Sequence, residues 1–183
     1  MDKSEYNELV KFEVYEFYES FLHRRLSWID KIRAKYISPQ GNATYLIRKM
    51  QYFYSCGGIK RMLALMIKVK LARRYGIYID PQTVIGKGLS IPHPSSIVIA
   101  HTKIGCNFTI YQNCTIGHKM GKGNQKWCVP VIGDNVTMYT NSSIVGGGMI
   151  ADDVTLAAHC CIVKDALESG VYVGCPGRLL NKE

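Results

Sequence analysis

A chain of 183 residues, 47% hydrophobic and 20% charged, can bury a sizeable core and fits one globular domain with an appendage. Its 23 Lys and Arg against 14 Asp and Glu leave a net +9, which favours anionic partners such as nucleic acid, acidic lipid or a phosphorylated small molecule without choosing among them. Bases interrupt every apolar stretch of the first half, so no run reaches the about 18 apolar residues that span a bilayer. The seven cysteines show neither a C-x-x-C zinc spacing nor a disulfide framework, and with no basic-then-apolar leader they predict a soluble protein of a reducing cytosol.

Over residues 4–36, Leu9, Phe12, Phe17, Phe21, Leu22, Trp28 and Ile29 recur at helical spacing, with acids early and bases late, which predicts one or two helices. "ISPQGN" reads as a break, and a second helical segment is expected over about residues 43–75, with "CGG" at 56–58 as a candidate interruption. Inside it, "KRMLALMIKVKLARR" at 60–74 sets six bases and no acid around Leu63, Leu65, Met66, Ile67, Val69 and Leu71. The plain reading is a packed helix with a solvated basic rim; the sharper one is peripheral contact with an anionic membrane or a lipid-linked diphosphate saccharide. Nucleic acid is not expected, because no aromatic stacking platform is interleaved with the bases.

After Gly76 the texture changes. Ile79, Ile85, Ile91 and Ile97 fall six apart; after one extra residue come Ile104, Ile110 and Ile116; Ile132, Met138, Ile144, Ile150, Leu156 and Ile162 then resume the step. Neither a helix nor a hairpin strand requires such a period. A β-solenoid of triangular section does: each hexapeptide supplies one side and a corner, eighteen residues complete a coil, and the aliphatics stack inward. His101 falls where the beat slips and reads as a surface turn. Between Ile116 and Ile132, residues 117–131 must loop out, and such loops carry function more often than scaffold. This one holds His118, Lys119, Lys122, Lys126 and Trp127.

The stretches "IGKGLSI", "IGCNFTIYQNCTIG", "VIGDNVTM" and "IVGGGMIADDVTL" resemble the hexapeptide-repeat acyltransferases, nearest the serine acetyltransferases and the related O-acetyltransferases of bacterial surface-polysaccharide clusters. The resemblance runs over residues 76–178. It implies a left-handed parallel β-helix, where the usual crossover rule would give the right-handed form. It also implies a homotrimer with active sites between neighbouring β-helices, acetyl-CoA as co-substrate along the groove, and no metal. The expected organisation is an N-terminal helical segment, 1–76, then a β-helix, 77–183, with the extruded loop 117–131 and a tail from 169 to 183.

Acetyl transfer from a thioester to an alcohol needs a base for the hydroxyl proton, and a histidine, with an ordinary pKa of about 6.5, suits that task at neutral pH. His93, in "SIPHPSSIVIAH", matches the position of the relatives' catalytic histidine, and Pro92 and Pro94 restrict its backbone. Coil stacking plus the one-residue slip predicts Gln112 beneath it. The relatives carry a second histidine before the loop proline; here Val129 precedes Pro130, which leaves His118 as a substitute by another path. Trp127 reads equally as an aromatic lid or a loop anchor. Arg178, in "VGCPGRLL", and the small Ala157 and Ala158 align with the relatives' coenzyme-binding tail and steps. His159 is expected to be structural and His23 solvated.

The relatives' aspartate before the histidine is replaced by Pro92, and another of their carboxylates aligns with Tyr78, with Asp80 close by. A free amino acid's ammonium calls for a carboxylate partner and a sugar hydroxyl does not. The leading expectation is therefore a cytosolic acetyl-CoA-dependent O-acetyltransferase acting on a small or lipid-linked saccharide in surface-polysaccharide assembly. Serine O-acetylation in cysteine biosynthesis is the alternative. A noncatalytic trimeric scaffold is the second alternative, because fold does not guarantee chemistry.

Overall fold

A computed structural model describes residues 1–118, 129–146 and 148–180. Helix α1, Lys3–Val10, starts where the Asp2 carboxylate accepts the Glu5 amide at 2.8 Å. It continues through π-helical turns at Lys11–Glu16 into α2, Phe17–Leu22, which ends at His23 in the left-handed conformation. A Ser27–Asp30 capping box opens α3, Trp28–Ile32, which runs on as π turns over Arg33–Ile37. Helix α4 spans Pro39–Cys56 and α5 Gly58–Tyr75. The break expected at "ISPQGN" falls on Ser38, which is extended, and the next helix starts at Pro39 rather than about residue 43: Pro39 sits in the first turn, where a missing N–H costs nothing, and the Ser38 hydroxyl accepts the Gly41 amide. The interruption expected at "CGG" falls on Gly57, at φ 70°.

Gly76, at φ 64°, ends α5 and turns the chain into three parallel sheets visited in rotation. The first holds β1 (Ile77–Ile79), β3 (Ile97–Ile99), β6 (Thr115–Gly117), β9 (Ser143–Val145) and β12 (Cys161–Ile162). The second holds β2 (Val84–Ile85), β4 (Lys103–Ile104), β7 (Val131–Ile132) and β10 (Met149–Ile150). The third holds β5 (Thr109–Ile110), β8 (Thr137–Met138), β11 (Val154–Leu156) and β13 (Gly170–Val173), closed by β14 (Arg178–Leu179), which turns back antiparallel. Part of the segment expected as tail is therefore a sheet strand.

Pairing stacks like on like. Ile79, Ile99, Ile116, Ile144 and Ile162 form one buried column. Ile85, Ile104, Ile132 and Ile150 form the second, and Ile110, Met138, Leu156 and Tyr172 the third. The six-residue beat is the passage from one column to the next.

The register corrects where the beat slips. Ile99, not Ile97, pairs with both Ile79 and Ile116. Two residues apart on one strand, Ile97 and Ile99 both point inward, so spacing alone could not say which kept the beat. The single slip assigned to His101 resolves into two: a two-residue bulge between Ile91 and Ile99, and a corner one residue short between Ile99 and Ile104. The bulge is the Pro-His-Pro turn. Ser90 pairs with Thr109, and the Ser95 carbonyl accepts the Asn113 amide, so Pro92, His93 and Pro94 stand where the next coil has Tyr111 alone.

Coils approach closely at glycine corners. A Cβ on Gly105 would lie 2.6 Å from the Gly133 carbonyl and against the Asp134 carboxylate. Gly105→Ala is expected to destabilise the protein by about 1–3 kcal/mol in urea melts, as overpacking does; an unchanged midpoint would mean that the coils are free to spread there.

The first coil has no coil above it, so its backbone edge needs other partners. Three helix side chains supply them. The buried Arg48 donates to Ile85 O at 2.8 Å and Gly86 O at 2.6 Å, and forms a two-pronged pair with Glu13 at 2.8 and 2.6 Å. Glu13 in turn accepts the amides of Gly88 and Leu89 at 2.9 and 3.0 Å. Gln51 donates to Thr83 O at 2.8 Å. The helices are thereby hydrogen-bonded, not merely packed, onto the coil that carries His93.

Candidate active site

The bulge pushes His93 outward. Its side chain is exposed, and its carbonyl accepts the Ser95 amide at 2.8 Å, closing a tight turn between two prolines. Its ring centroid lies 6.0 Å from that of Tyr111, tilted by 53°, and Tyr111 stacks on Tyr139 at 5.0 Å and 23°. The Tyr111 amide donates to Met138 O, the Tyr139 amide to Leu156 O and the Ala157 amide to Tyr172 O, so Tyr111, Tyr139 and Ala157 occupy one corner in successive coils. His93 heads a ladder along one edge of the prism. The ladder falls from ring to methyl at Ala157, with the exposed Ala158 beside it.

Gln112 is not beneath His93. Its carbonyl takes the Asn141 amide just as Ser95's takes that of Asn113, which places Gln112 under Ser95 and Tyr111 against the imidazole. The expected register counted one slip where the bulge supplies two residues. The Gln112 Oε1 is buried and has no hydrogen-bond partner among the described residues.

His159 shares a corner column with Asn113 and Asn141, all at φ near +60°, a turn position consistent with a structural role. His101 is exposed on the shortened corner, and His23 is an exposed helix end. His118 is exposed directly after β6. Trp127, Lys119, Lys122 and Lys126 lie outside the described residues. Arg178 pairs with Val173 beside Tyr172, whose carbonyl receives the Ala157 amide, so the tail's cation and the small corner lie on one sheet with β13 between their strands. A cavity of about 330 Å³ opens there, lined by Ile162, Lys164, Asp165, Tyr172, Pro176 and Arg178.

Buried thiols offer no competing nucleophile in this region. Burial, with Cys161 and Cys175 nearby, pushes Cys160 up to about 11, and burial also raises Cys114. Both are neutral at physiological pH, and the thiolate is the reactive form. Among the described residues no group of three His, Cys, Asp or Glu side chains could hold a metal ion.

Sequence reasoning missed Tyr111 and Tyr139. The signal was present, since each directly follows a column residue, Ile110 and Met138, but rings become a ladder only once the coils are in register.

No family model matches the chain. The serine acetyltransferase of Staphylococcus epidermidis is 36% identical over 127 residues, 68% of this chain and 58% of that protein. That of Mycobacterium tuberculosis is 32% identical over 108 residues, 58% of this chain and 46% of its own length. The chain is related to the serine acetyltransferases. It spans about half the length of these curated relatives. Solved serine acetyltransferases share its fold. The Neisseria gonorrhoeae enzyme superposes with a TM-score of 0.79 over 98% of this chain and 66% of that one at 22% identity, and the soybean apoenzyme with 0.69 over 82% and 60% at 25% identity. Another serine acetyltransferase of the same fold was solved with CoA, at a TM-score of 0.76 and 17% identity. The resemblance read from the hexapeptides therefore holds in sequence and in fold, and it favours the serine acetyltransferases over the polysaccharide O-acetyltransferases.

Proposed function

We propose that the chain is an acetyl-CoA-dependent O-acetyltransferase on a left-handed parallel β-helix, acting as a homotrimer in the cytosol, with serine as the acceptor its relatives support best. The observation that carries this reading is the 36% identity to a serine acetyltransferase together with His93 standing on an exposed, proline-braced corner. The three-sided, in-register stacking supports the β-helix.

In this reading an imidazole nitrogen of His93 takes the acceptor hydroxyl proton as that oxygen attacks the thioester carbonyl. The tetrahedral intermediate collapses, the C–S bond breaks, and the coenzyme thiolate leaves with the proton from the imidazolium. No enzyme nucleophile is needed. Ala157 and Ala158, which keep the corner low, would let the pantetheine chain approach the backbone, and Arg178 would pair with coenzyme phosphate. Gln112, which stands under Ser95 and whose buried Oε1 has no hydrogen-bond partner among the described residues, is assigned a supporting place behind the site rather than beneath the imidazole. His118 is assigned the second histidine's task, and Trp127 a lid.

One observation favours a saccharide hydroxyl as a second reading. By the resemblance read from the sequence, Pro92 and Tyr78 stand where the relatives carry carboxylates, with Asp80 close by, and Tyr78 lies on β1 opposite Val98. A serine ammonium would have to find its counter-charge elsewhere. Thiol-release kinetics with acetyl-CoA against free serine and a panel of sugars and nucleotide sugars separates the readings. Turnover of serine with the sugars inert is the expected result; efficient turnover of a sugar alone would overturn the choice of acceptor. Absence of both thiol release and acetyl-CoA binding would leave the noncatalytic scaffold.

A further inference from the structure

We propose that the outer face of α5 docks on an anionic lipid surface, with the helix lying in the plane of that surface. The inner face of α5 is committed to the fold: Ala64 and Leu71 are fully buried and Ile67 is partly buried. The outer face is not. Ile59, Met62, Met66 and Val69 recur three and four residues apart, one stripe of a helix, and are 80, 68, 67 and 50% exposed, with Leu63 and Leu65 exposed on its flanks. A shallow groove of about 730 Å³ runs along this stripe, from Met62, Leu65, Met66 and Val69 to Lys70 and Arg73 at its C-terminal end.

Charge selects the occupant. α5 carries Lys60, Arg61, Lys68, Lys70, Arg73 and Arg74 and no acid. At about 100° per residue, Arg73 lies in line with the stripe and Lys70 and Arg74 border it on one side, all three lining the groove, while Lys60 and Arg61 reach Tyr52 and Tyr54 of α4. Two copies laid face to face would bury their apolar stripes only by crowding these cations together with no carboxylate on either helix. An anionic bilayer resolves both needs: the acyl boundary receives the stripe and the headgroups receive the bases. Among the described residues no helix is long and apolar enough to cross a membrane, so contact through α5 is in-plane.

The test is co-sedimentation of the full chain with phosphatidylcholine vesicles containing about 30% phosphatidylglycerol, against phosphatidylcholine alone. Light scattering and circular dichroism follow the oligomeric state and fold. At least about tenfold stronger binding to the anionic vesicles, lost in 0.5 M salt (about 0.5 M NaCl), is expected. Met66→Glu with Val69→Glu, and separately Lys70→Gln with Arg73→Gln, should each cut that binding about tenfold with oligomeric state unchanged; the second pair keeps the apolar stripe intact and so guards against a misfolded variant. Equal binding to both vesicle types, no binding to either, or dissociation of an oligomer by these substitutions would overturn the proposal, the last by showing that a second copy covers the stripe.

Discussion

His93→Ala is expected to lower the rate of acetyl transfer about a hundredfold or more while leaving acetyl-CoA affinity intact. The side chain is exposed on a bulge outside the three buried columns, so its removal takes nothing from the core. Its only ring contact is the edge of the Tyr111–Tyr139 ladder, at 6.0 Å, among the described residues. Turnover and stability should therefore separate: thiol release falls while the urea midpoint and coenzyme binding stay within error of wild type. A scaffold without chemistry predicts no change in any of the three. If instead the midpoint drops with the rate, the imidazole is a turn-forming group and the general-base assignment fails.

Arg48→Met is expected to destabilise the chain by about 3–5 kcal/mol, because it leaves a buried carboxylate unpaired. Arg48 and Glu13 side chains are both fully buried, and the guanidinium also holds the Ile85 and Gly86 carbonyls and the Gln51 amide oxygen. Removing it strands the Glu13 carboxylate and two backbone acceptors together. Replacing both partners, Glu13→Leu with Arg48→Met, should recover part of the loss, since the stranded charge goes with the pair. Urea unfolding of the four proteins of this cycle measures the coupling. A loss below about 1 kcal/mol for Arg48→Met would show that water reaches the site and that the pair behaves like a surface one.

The hexapeptide beat made the three-sided architecture legible because a coil of fixed length must return a large aliphatic to the interior at a fixed interval, whatever its neighbours do. The N-terminal helices were legible from their spacing, although Phe12, Phe17, Phe21, Leu22, Trp28 and Ile29, expected as the packed face, are exposed, and the second segment, expected from about residue 43, starts at Pro39, since proline is disfavoured in a helix interior and favoured in its first turn. The exposed turn that holds His93 was legible because two prolines bracket it.

Three things were not legible. The bulge could not be located, because Ile97 and Ile99 are equivalent to any count of apolar residues and differ only in which neighbour they pair with. The Tyr111–Tyr139 ladder is local in space but 28 residues apart in the chain, and the place of Gln112 moved with the bulge. The clasp of Glu13, Arg48 and Gln51 joins helices to residues 32 to 76 positions away. A charged residue at helical spacing reads as solvated until its burial is known.

What the sequence determined by itself is the period, and with it the three-sided core and the proline-braced histidine, because these depend on chain geometry repeated at short range. The tertiary structure decided the register between coils and the capping of the open first coil. Both follow from pairing backbone hydrogen-bonding groups with partners distant in the chain, which no short-range pattern records.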